Sequence, residues 1–274
     1  MDPAVIEAAL LAASHAVRDA GAIARAHFRT RPDVANKAST GFDPVTEADR
    51  GIERHLRAAL LPLLPGIGLV GEEFGITGNP HDYWIIDPID GTRSFISGML
   101  GWGILAGLVL DRQPVAGLMH QPITGETFLA TPATGARVLG PGHAAPLVTS
   151  PIRRLEEATL YSTHPGLLEA AGLAPAYTLL AARCRLQRYG GDCYAYAMLA
   201  AGHIDLVVEA GLAPYDIVPL IPLIRAAGGV ITDLAGNLPM QGGTVIAAAN
   251  TTLHGTALAV LRRGREGAWG GSSR

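Results

Sequence analysis

The sequence predicts an α+β protein whose second half is α/β, and three patterns carry this prediction. Apolar residues recur every three or four positions over residues 3–28, which is typical of an amphipathic helix. Short apolar runs with tight turns between them then predict an antiparallel meander. After about residue 148, strand and helix patterns alternate, as they do in α/β structures.

In the first half, a loop is expected at residues 37–44, followed by a second helix that ends near Pro65. Thr46 is its expected N-cap, and Asp49 stands where a capping-box acid belongs. The apolar runs that predict strands lie at 67–71, 83–86, 103–110, 115–120 and 127–131.

In the second half, strands are expected at 158–162, 186–189, 204–210, 230–233 and 245–249, and helices at 165–172, 192–202, 216–227 and 253–262. Pro219 and Pro222 should kink or break the helix at 216–227. A loop at 140–151 suggests two domains, at 1–148 and 149–265, followed by a flexible tail at 266–274.

Composition narrows the classes of function. Hydrophobic residues make up 49% of the 274 positions and charged residues 16%, which predicts a folded protein with a substantial core. The net charge is −3 without blocks of like charge, so neither nucleic acid nor a membrane surface is an expected partner. No apolar run approaches the roughly 20 residues of a membrane span. Cys184 and Cys193 are too few for a disulfide framework, which favours a reducing cytoplasm.

Carboxylates follow two of the predicted strands. Asp87 and Asp90 follow the run at 84–86 and are separated by a proline turn, and Gly91 permits a tight bend. Glu72 and Glu73 end the strand before it, and at least one of the two is expected to face solvent. Crowded like charges need a cation, and oxygen ligands favour Mg²⁺, Mn²⁺ or Ca²⁺ over zinc. Carboxylates with Mg²⁺ and water indicate phosphate chemistry.

Simpler interpretations exist for each acid taken alone. Asp87 and Asp90 occur in common turn dipeptides, and helix capping alone explains Asp49 and Asp216. Only their combination favours a metal site. Other phosphate chemistries are disfavoured, since the sequence has no P-loop motif and neither cysteine is followed six residues later by arginine.

Four segments occur in a diagnostic order: DPVTEAD at 43–49, GEE at 71–73, DPIDGT at 87–92 and PYD at 214–216. Together they resemble the inositol monophosphatase-like, Mg²⁺-dependent and lithium-sensitive phosphatases, from about residue 5 to residue 262. Tyr215 departs from the tryptophan that most members have there. The resemblance implies a layered αβαβα sandwich with an antiparallel N-terminal sheet and a smaller α/β C-terminal part.

Segments at 188–196, 202–209 and 214–217 resemble the histidinol-phosphate phosphatase branch. This implies hydrolysis of L-histidinol phosphate, a small phosphorylated substrate, in histidine biosynthesis. An inositol-1-monophosphatase, a broad sugar phosphatase or a phosphatase of adenosine 3′,5′-bisphosphate are alternatives with the same chemistry. A non-catalytic regulatory binding protein on the same fold is an alternative of another class. Since relatives are often dimers, a homodimer is expected.

The resemblance also implies residue roles. Glu72, Asp87 and the Ile89 carbonyl would hold one Mg²⁺, and Asp87, Asp90 and Asp216 a second. Asp49, with Glu72 through water, would support a third ion, and Mn²⁺ is an alternative metal. Thr92 and Glu72 would orient and deprotonate the attacking water, and N–H groups at Gly91 and Thr92 would bind phosphate oxygens if a helix starts there.

The second half would recognise the alcohol part of the substrate. Arg188 matches a position of substrate contact in the branch, and Asp192 and Glu209 could hold an ammonium or imidazole group. The alternatives are a surface salt bridge for Arg188, a helix cap for Asp192 and a solvated acid at a strand end for Glu209.

Overall fold

The computed structural model of the chain describes residues 1–30, 34–36 and 44–269. The predicted loop at 37–44 therefore falls mostly outside the described residues, as do Asp43 of the first motif and the expected capping side chain of Thr46. All structural statements below concern the described part of the chain.

Helices occupy both ends of the chain and the connections between strands. They are α1 (Pro3–His27), α2 (Glu47–Leu60), α3 (Thr92–Ile96), α4 (Pro165–Ala170), α5 (Ala174–Ala181), α6 (Asp192–Ala200), α7 (Pro214–Ile217), α8 (Leu220–Ala226) and α9 (Thr251–Trp269). None of these helices combines the length and the apolar character that crossing a bilayer requires.

The strands form a two-stranded ribbon and two larger sheets. They are β1 (Val34–Asn36), β2 (Pro44–Thr46), β3 (Gly68–Gly71), β4 (Gly75–Thr77), β5 (Tyr83–Asp90), β6 (Gly103–Leu110), β7 (Gln113–Gln121), β8 (Glu126–Thr131), β9 (Gly135–Gly140), β10 (His143–Pro146), β11 (Thr159–Ser162), β12 (Leu186–Tyr189), β13 (Leu206–Leu212), β14 (Val230–Asp233) and β15 (Gly243–Ala248). The sequence prediction missed β4, β9 and β10, and β10 lies in the expected loop at 140–151.

Five layers stack on one another. Helices α1 and α2 pack on one face of the eight-stranded sheet, and α6 and α8 lie between its other face and the five-stranded sheet. Helices α4 and α9 cover the outer face of the five-stranded sheet, with α5 packed on α9. This confirms the predicted αβαβα sandwich. The apolar core lies in three clusters, one in each space between sheet and helices.

The expected antiparallel first sheet is only partly correct. Its order is β10-β9-β8-β7-β6-β5-β3-β4, and all neighbours are antiparallel except β3 and β5. The chain leaves β3, makes a hairpin with β4 and crosses back at residues 78–82, so β5 runs parallel to β3. Parallel strands end at the same edge of a sheet, and this pairing brings Glu72 and Asp87 to one place.

The second half follows the predicted alternation, with three differences. The five-stranded sheet has the order β12-β11-β13-β15-β14, and α5 was not predicted. The helix expected at 216–227 is two helices, and Pro219 is the N-cap of the second, as the proline positions predicted. Helix α9 continues to Trp269, so a flexible tail from residue 266 is wrong for 266–269, and 270–274 lie outside the described residues.

The buried histidine on β7 makes stability depend on acid. His120 is 2% exposed, and its Nδ1 lies 2.9 Å from Thr127 Oγ1. Burial lowers the pKa of His120 to about 4. The unfolded chain keeps a histidine pKa near 6.5, so it binds more protons between those values. We expect the free energy of unfolding to fall by roughly 3 kcal/mol as pH drops across that window.

Urea unfolding at pH 7, 6, 5 and 4 measures this effect as the difference between wild type and His120→Gln. The variant should lose most of the acid-dependent decline, whereas the matched change at the exposed His203 should leave it intact. Equal declines in wild type and His120→Gln would contradict the assignment.

Candidate active site

A cavity of about 320 Å³ opens where β3 and β5 of the first sheet end, opposite β13 and α7. Its wall is strongly acidic. Arg93 is the one positive side chain among the described residues that line it. The carboxylates on the wall are Glu72, Asp87, Asp90, Asp192, Glu209 and Asp216.

The segment that carries Asp87 and Asp90 is a bulged strand, not the predicted proline turn. Strand β5 continues through Pro88 to Asp90, and Asp87 and Asp90 pair with Leu105 and Gly103 of β6, so one extra residue lies between them. In a regular strand, positions three apart point to opposite faces. The bulge turns both carboxylates to the cavity.

Gly91 ends β5 and starts α3. Its φ of 81° is left-handed, and a Cβ at this position would lie 2.9 Å from the Gly101 carbonyl oxygen. Both constraints require glycine here. The predicted helix start is confirmed at Thr92, whose hydroxyl donates to the Ile89 carbonyl oxygen at 3.0 Å. Ile89 is itself buried, and with Gly91 and Thr92 it lines the cavity.

Asp216 reaches the cluster from the second half of the chain. Its Oδ2 accepts the Ala213 N–H at 2.8 Å, so the acid caps α7 and also contributes to the cavity wall. Ligand oxygens of Asp87, Asp90 and Asp216 all lie within 4.8 Å of one another. Asp90 Oδ2 also accepts the N–H of Cys193 at 2.8 Å, which ties the start of α6 to the same cluster.

Burial and mutual repulsion disturb the titration of all three acids. Burial, followed by the neighbouring Glu72 charge, raises the pKa of Asp87 well above its ordinary value. The pKa of Asp90 is raised well above its ordinary value by burial and then by Asp216. Burial raises the pKa of Asp216 to about 6. This charge calls for a cation, and a set of oxygen donors in loops and strand ends fits Mg²⁺.

The other predicted acids of the first half lie around this cluster. Glu72 lies in the turn between β3 and β4 and lines the cavity. Asp49 on α2 is buried and does not line the cavity, although its charge helps to raise the pKa of Asp87. Glu73 does not face solvent, and neither does Glu72, so that expectation is wrong. The Glu73 side chain is 3% exposed, and its Oε2 lies 3.6 Å from Arg50 Nε.

Two predicted acids of the second half form the opposite wall. Asp192 is the first residue of α6 but does not cap it, because its Oδ2 accepts the Ser94 hydroxyl at 2.7 Å. Glu209 is 3% exposed, so the solvated-acid interpretation is wrong. Its carboxylate accepts the hydroxyls of Thr163 and, at 3.2 Å, Tyr196. Burial raises the pKa of Glu209 to about 8.

Arg188 is not brought to this cavity. It lies exposed on β12, which is an edge strand of the five-stranded sheet, and it is not among the cavity-lining residues. Its expected substrate contact stays a prediction.

Sequence reasoning missed Arg93, Thr163 and Tyr196. Arg93 directly follows the DGT motif and Thr163 directly follows β11, so position next to a site or strand end was an available signal. Arg93 lies close enough to lower the pKa of Asp192, although burial raises that pKa overall. Tyr196 had no such signal, because it lies inside a helix whose apolar residues point in all directions.

The layered sandwich and its acidic cavity define a class of phosphatases. Within that class, the family model described as the inositol monophosphatase family matches residues 6–266. The chain therefore belongs to the inositol monophosphatase family.

Relatives within the family carry different names. The chain is 38% identical over 229 residues to the chloroplastic bifunctional phosphatase IMPL2 of Arabidopsis thaliana, covering 82% of this chain and 64% of that protein. It is 32% identical to a histidinol-phosphatase of Streptomyces coelicolor, covering 91% and 96% of the two chains. The structure of an inositol monophosphatase from Zymomonas mobilis is similar, with 35% identity, a TM-score of 0.79 and coverage of 93% and 98%.

Proposed function

We propose that this protein hydrolyses L-histidinol phosphate to L-histidinol and phosphate with Mg²⁺, as a step of histidine biosynthesis. The observation that carries the proposal is the pair of acids Asp192 and Glu209 on the wall opposite the metal-binding acids, in one cavity. A phosphate ester that also bears a cation fits between two such walls. The name of the Streptomyces relative supports the same substrate.

In this proposal the chain offers two main ion sites. Glu72, Asp87 and the Ile89 carbonyl hold one Mg²⁺, and Asp87, Asp90 and Asp216 hold a second, with Asp49 supporting a third and Mn²⁺ as an alternative. Bound metal lowers the pKa of water and offsets negative charge on the leaving oxygen.

The other residues position the reactants. Thr92 and Glu72 orient the attacking water, and the Glu72 carboxylate accepts its proton. Water attacks phosphorus in line as the P–O ester bond breaks, and the alcohol leaves with a proton. N–H groups at the Gly91–Thr92 helix start face phosphate oxygens, and Asp90 and Asp216 border the same phosphate.

Glu209 is expected to select the cationic alcohol part. With a pKa of about 8 it is largely protonated in the free protein at pH 7, and a bound ammonium or imidazolium favours its ionised form. We expect Glu209→Gln to raise KM for histidinol phosphate about 10- to 100-fold, in line with a lost charge-assisted hydrogen bond. KM for glycerol 1-phosphate, a neutral alcohol ester, should change less than about twofold. Steady-state phosphate release measures both, and equal changes would contradict cation recognition.

The function itself is tested by phosphate release from L-histidinol phosphate and from myo-inositol 1-phosphate, each with Mg²⁺ and with EDTA. A strong preference for histidinol phosphate that EDTA abolishes is expected. Preference for the inositol ester, or none, would favour an inositol-1-monophosphatase or a broad sugar phosphatase. Absence of turnover with both esters would favour a regulatory binding protein.

Three coarser expectations belong to the same proposal. They are a cytoplasmic location, a domain boundary near residue 148 and a homodimer. Light scattering after size-exclusion chromatography should give about twice the chain mass of 28.5 kDa if the chain forms a homodimer. A single chain mass at micromolar concentration would contradict the dimer.

A further inference from the structure

Helix α2 carries a buried carboxylate that holds the turn next to the cavity. Glu53 is 0% exposed, and it does not line the cavity. Its Oε2 accepts the Glu73 N–H at 2.7 Å and its Oε1 accepts the Phe74 N–H at 3.1 Å. Both amides belong to the turn from β3 to β4 that begins with Glu72. The carboxylate therefore fixes the backbone directly after the Glu72 side chain.

Arg57, one helical turn further along α2, fastens the other side of the same turn. Its Nε donates to Glu53 Oε1 at 2.8 Å, and its Nη1 donates to Thr77 Oγ1 at 3.0 Å. Its Nη2 donates to the Gly75 carbonyl oxygen. The guanidinium also lies 5.9 Å from the centre of the Phe74 ring. Glu53 and Arg57 thus hold the turn from Glu73 to Thr77 against α2.

Gly71 leaves the space that this arrangement needs. A Cβ at Gly71 would lie 2.1 Å from Glu53 Oε1, so any side chain there would displace the carboxylate. The glycine of the GEE segment is therefore explained by the approach of Glu53, because its φ is not left-handed.

We propose that Glu53 is a positioning residue that holds the turn so that Glu72 presents its carboxylate to Mg²⁺. The inference rests on the proposed function for the role of Glu72. A charged acceptor is needed, because two N–H groups and a guanidinium converge on one carboxylate. In Glu53→Gln the amide NH₂ would oppose one of these donors. Residues that orient metal ligands typically change metal affinity 10- to 100-fold when they are mutated.

The test is calorimetric titration of the full chain with Mg²⁺ alone, for wild type, Glu53→Gln and a matched control. The control is Glu7→Gln. Glu7 also accepts from arginine and from hydroxyls, those of Arg137, Thr131 and Thr134, but it lies away from the cavity. Glu53→Gln should weaken Mg²⁺ binding about 10- to 100-fold. Glu7→Gln should lower Tm without changing Mg²⁺ affinity.

A purely structural role would lower Tm in both variants and leave Mg²⁺ affinity alone, so wild-type affinity in Glu53→Gln overturns the proposal. If Glu53→Gln does not fold, Arg57→Gln replaces it. It should weaken Mg²⁺ binding by at least about fivefold, and unchanged affinity has the same meaning.

Amide hydrogen exchange in metal-free protein separates this inference from the proposed function. The Glu73 and Phe74 amides should exchange at least about tenfold faster in Glu53→Gln than in wild type, because their acceptor is impaired. Unchanged exchange overturns the turn-holding role. If wild type binds no Mg²⁺, the proposed function fails and the Mg²⁺ part of the inference fails with it, whatever the exchange rates show.

Discussion

Asp90→Asn is expected to abolish nearly all phosphatase activity while the protein stays folded. Asp90 shares the cluster with Asp87 and Asp216, and the substitution removes one negative charge from the proposed metal ligands. We expect kcat/KM to fall at least about a thousandfold, equivalent to about 4 kcal/mol of transition-state stabilisation. Phosphate release under saturating Mg²⁺ measures the loss.

The folded state of this variant should be unharmed. The asparagine Oδ1 can still accept the Cys193 N–H, and removing one of several repelling carboxylates relieves the strain that raises the pKa of Asp90. The metal-free Tm of Asp90→Asn should therefore equal or exceed that of wild type.

Asp205→Asn is the matched control for Asp90→Asn. Asp205 is also buried, but its Oδ2 accepts the Thr159 N–H at 2.7 Å and it does not line the cavity. This variant should lose stability and keep its kcat. Near-normal turnover in Asp90→Asn would refute the two-metal proposal.

Metal-free protein is expected to lose stability as pH rises from about 4 to 7, and saturating Mg²⁺ should remove this loss. The pKa of Asp216 rises from its ordinary value of 3.8 to about 6 on folding, so the folded state binds more protons between those values. Its contribution to the free energy of unfolding is present below pH 3.8 and disappears as pH passes through 6. The loss is roughly 3 kcal/mol for Asp216 alone. Asp87 and Asp90 act in the same direction because their pKa values are raised too.

The measurement is the difference in unfolding free energy with and without Mg²⁺ at each pH. His120 lies outside the cavity lining, so its opposite effect is the same in both series and cancels. The stabilisation by Mg²⁺ should grow from pH 5 to pH 7. Asp216→Asn should show a flatter metal-free curve, and a pH-independent Mg²⁺ effect would contradict the proposed cluster.

The chemistry of the cavity could be read from local residue order. Gly91 follows two aspartates, and proline and glycine restrict such a segment to few conformations, so a strand end that delivers carboxylates was predictable. Asp216 followed from its motif, and Pro219 marked the break between α7 and α8.

The contacts between distant segments could not be read in this way. Whether Arg188 reaches the cavity depends on the position of β12, which the sheet places at an edge. The Glu53 contacts depend on α2 packing over the β3–β4 turn, and Glu53 had the ordinary spacing of a helix residue. Residue type and spacing describe one segment at a time, whereas such contacts depend on how segments pack.

The sequence by itself determined the family, the layered class of fold and the set of acids, because each of these is written in short motifs and hydrophobic periodicity. Only the tertiary structure decided how the acids converge. The parallel pairing of β3 with β5 and the bulge in β5 bring Glu72, Asp87 and Asp90 to one edge. Asp216 joins them from a helix more than a hundred residues away along the chain. The physical reason is that strand direction, bulges and the packing of layers depend on the whole core, and no local pattern encodes them.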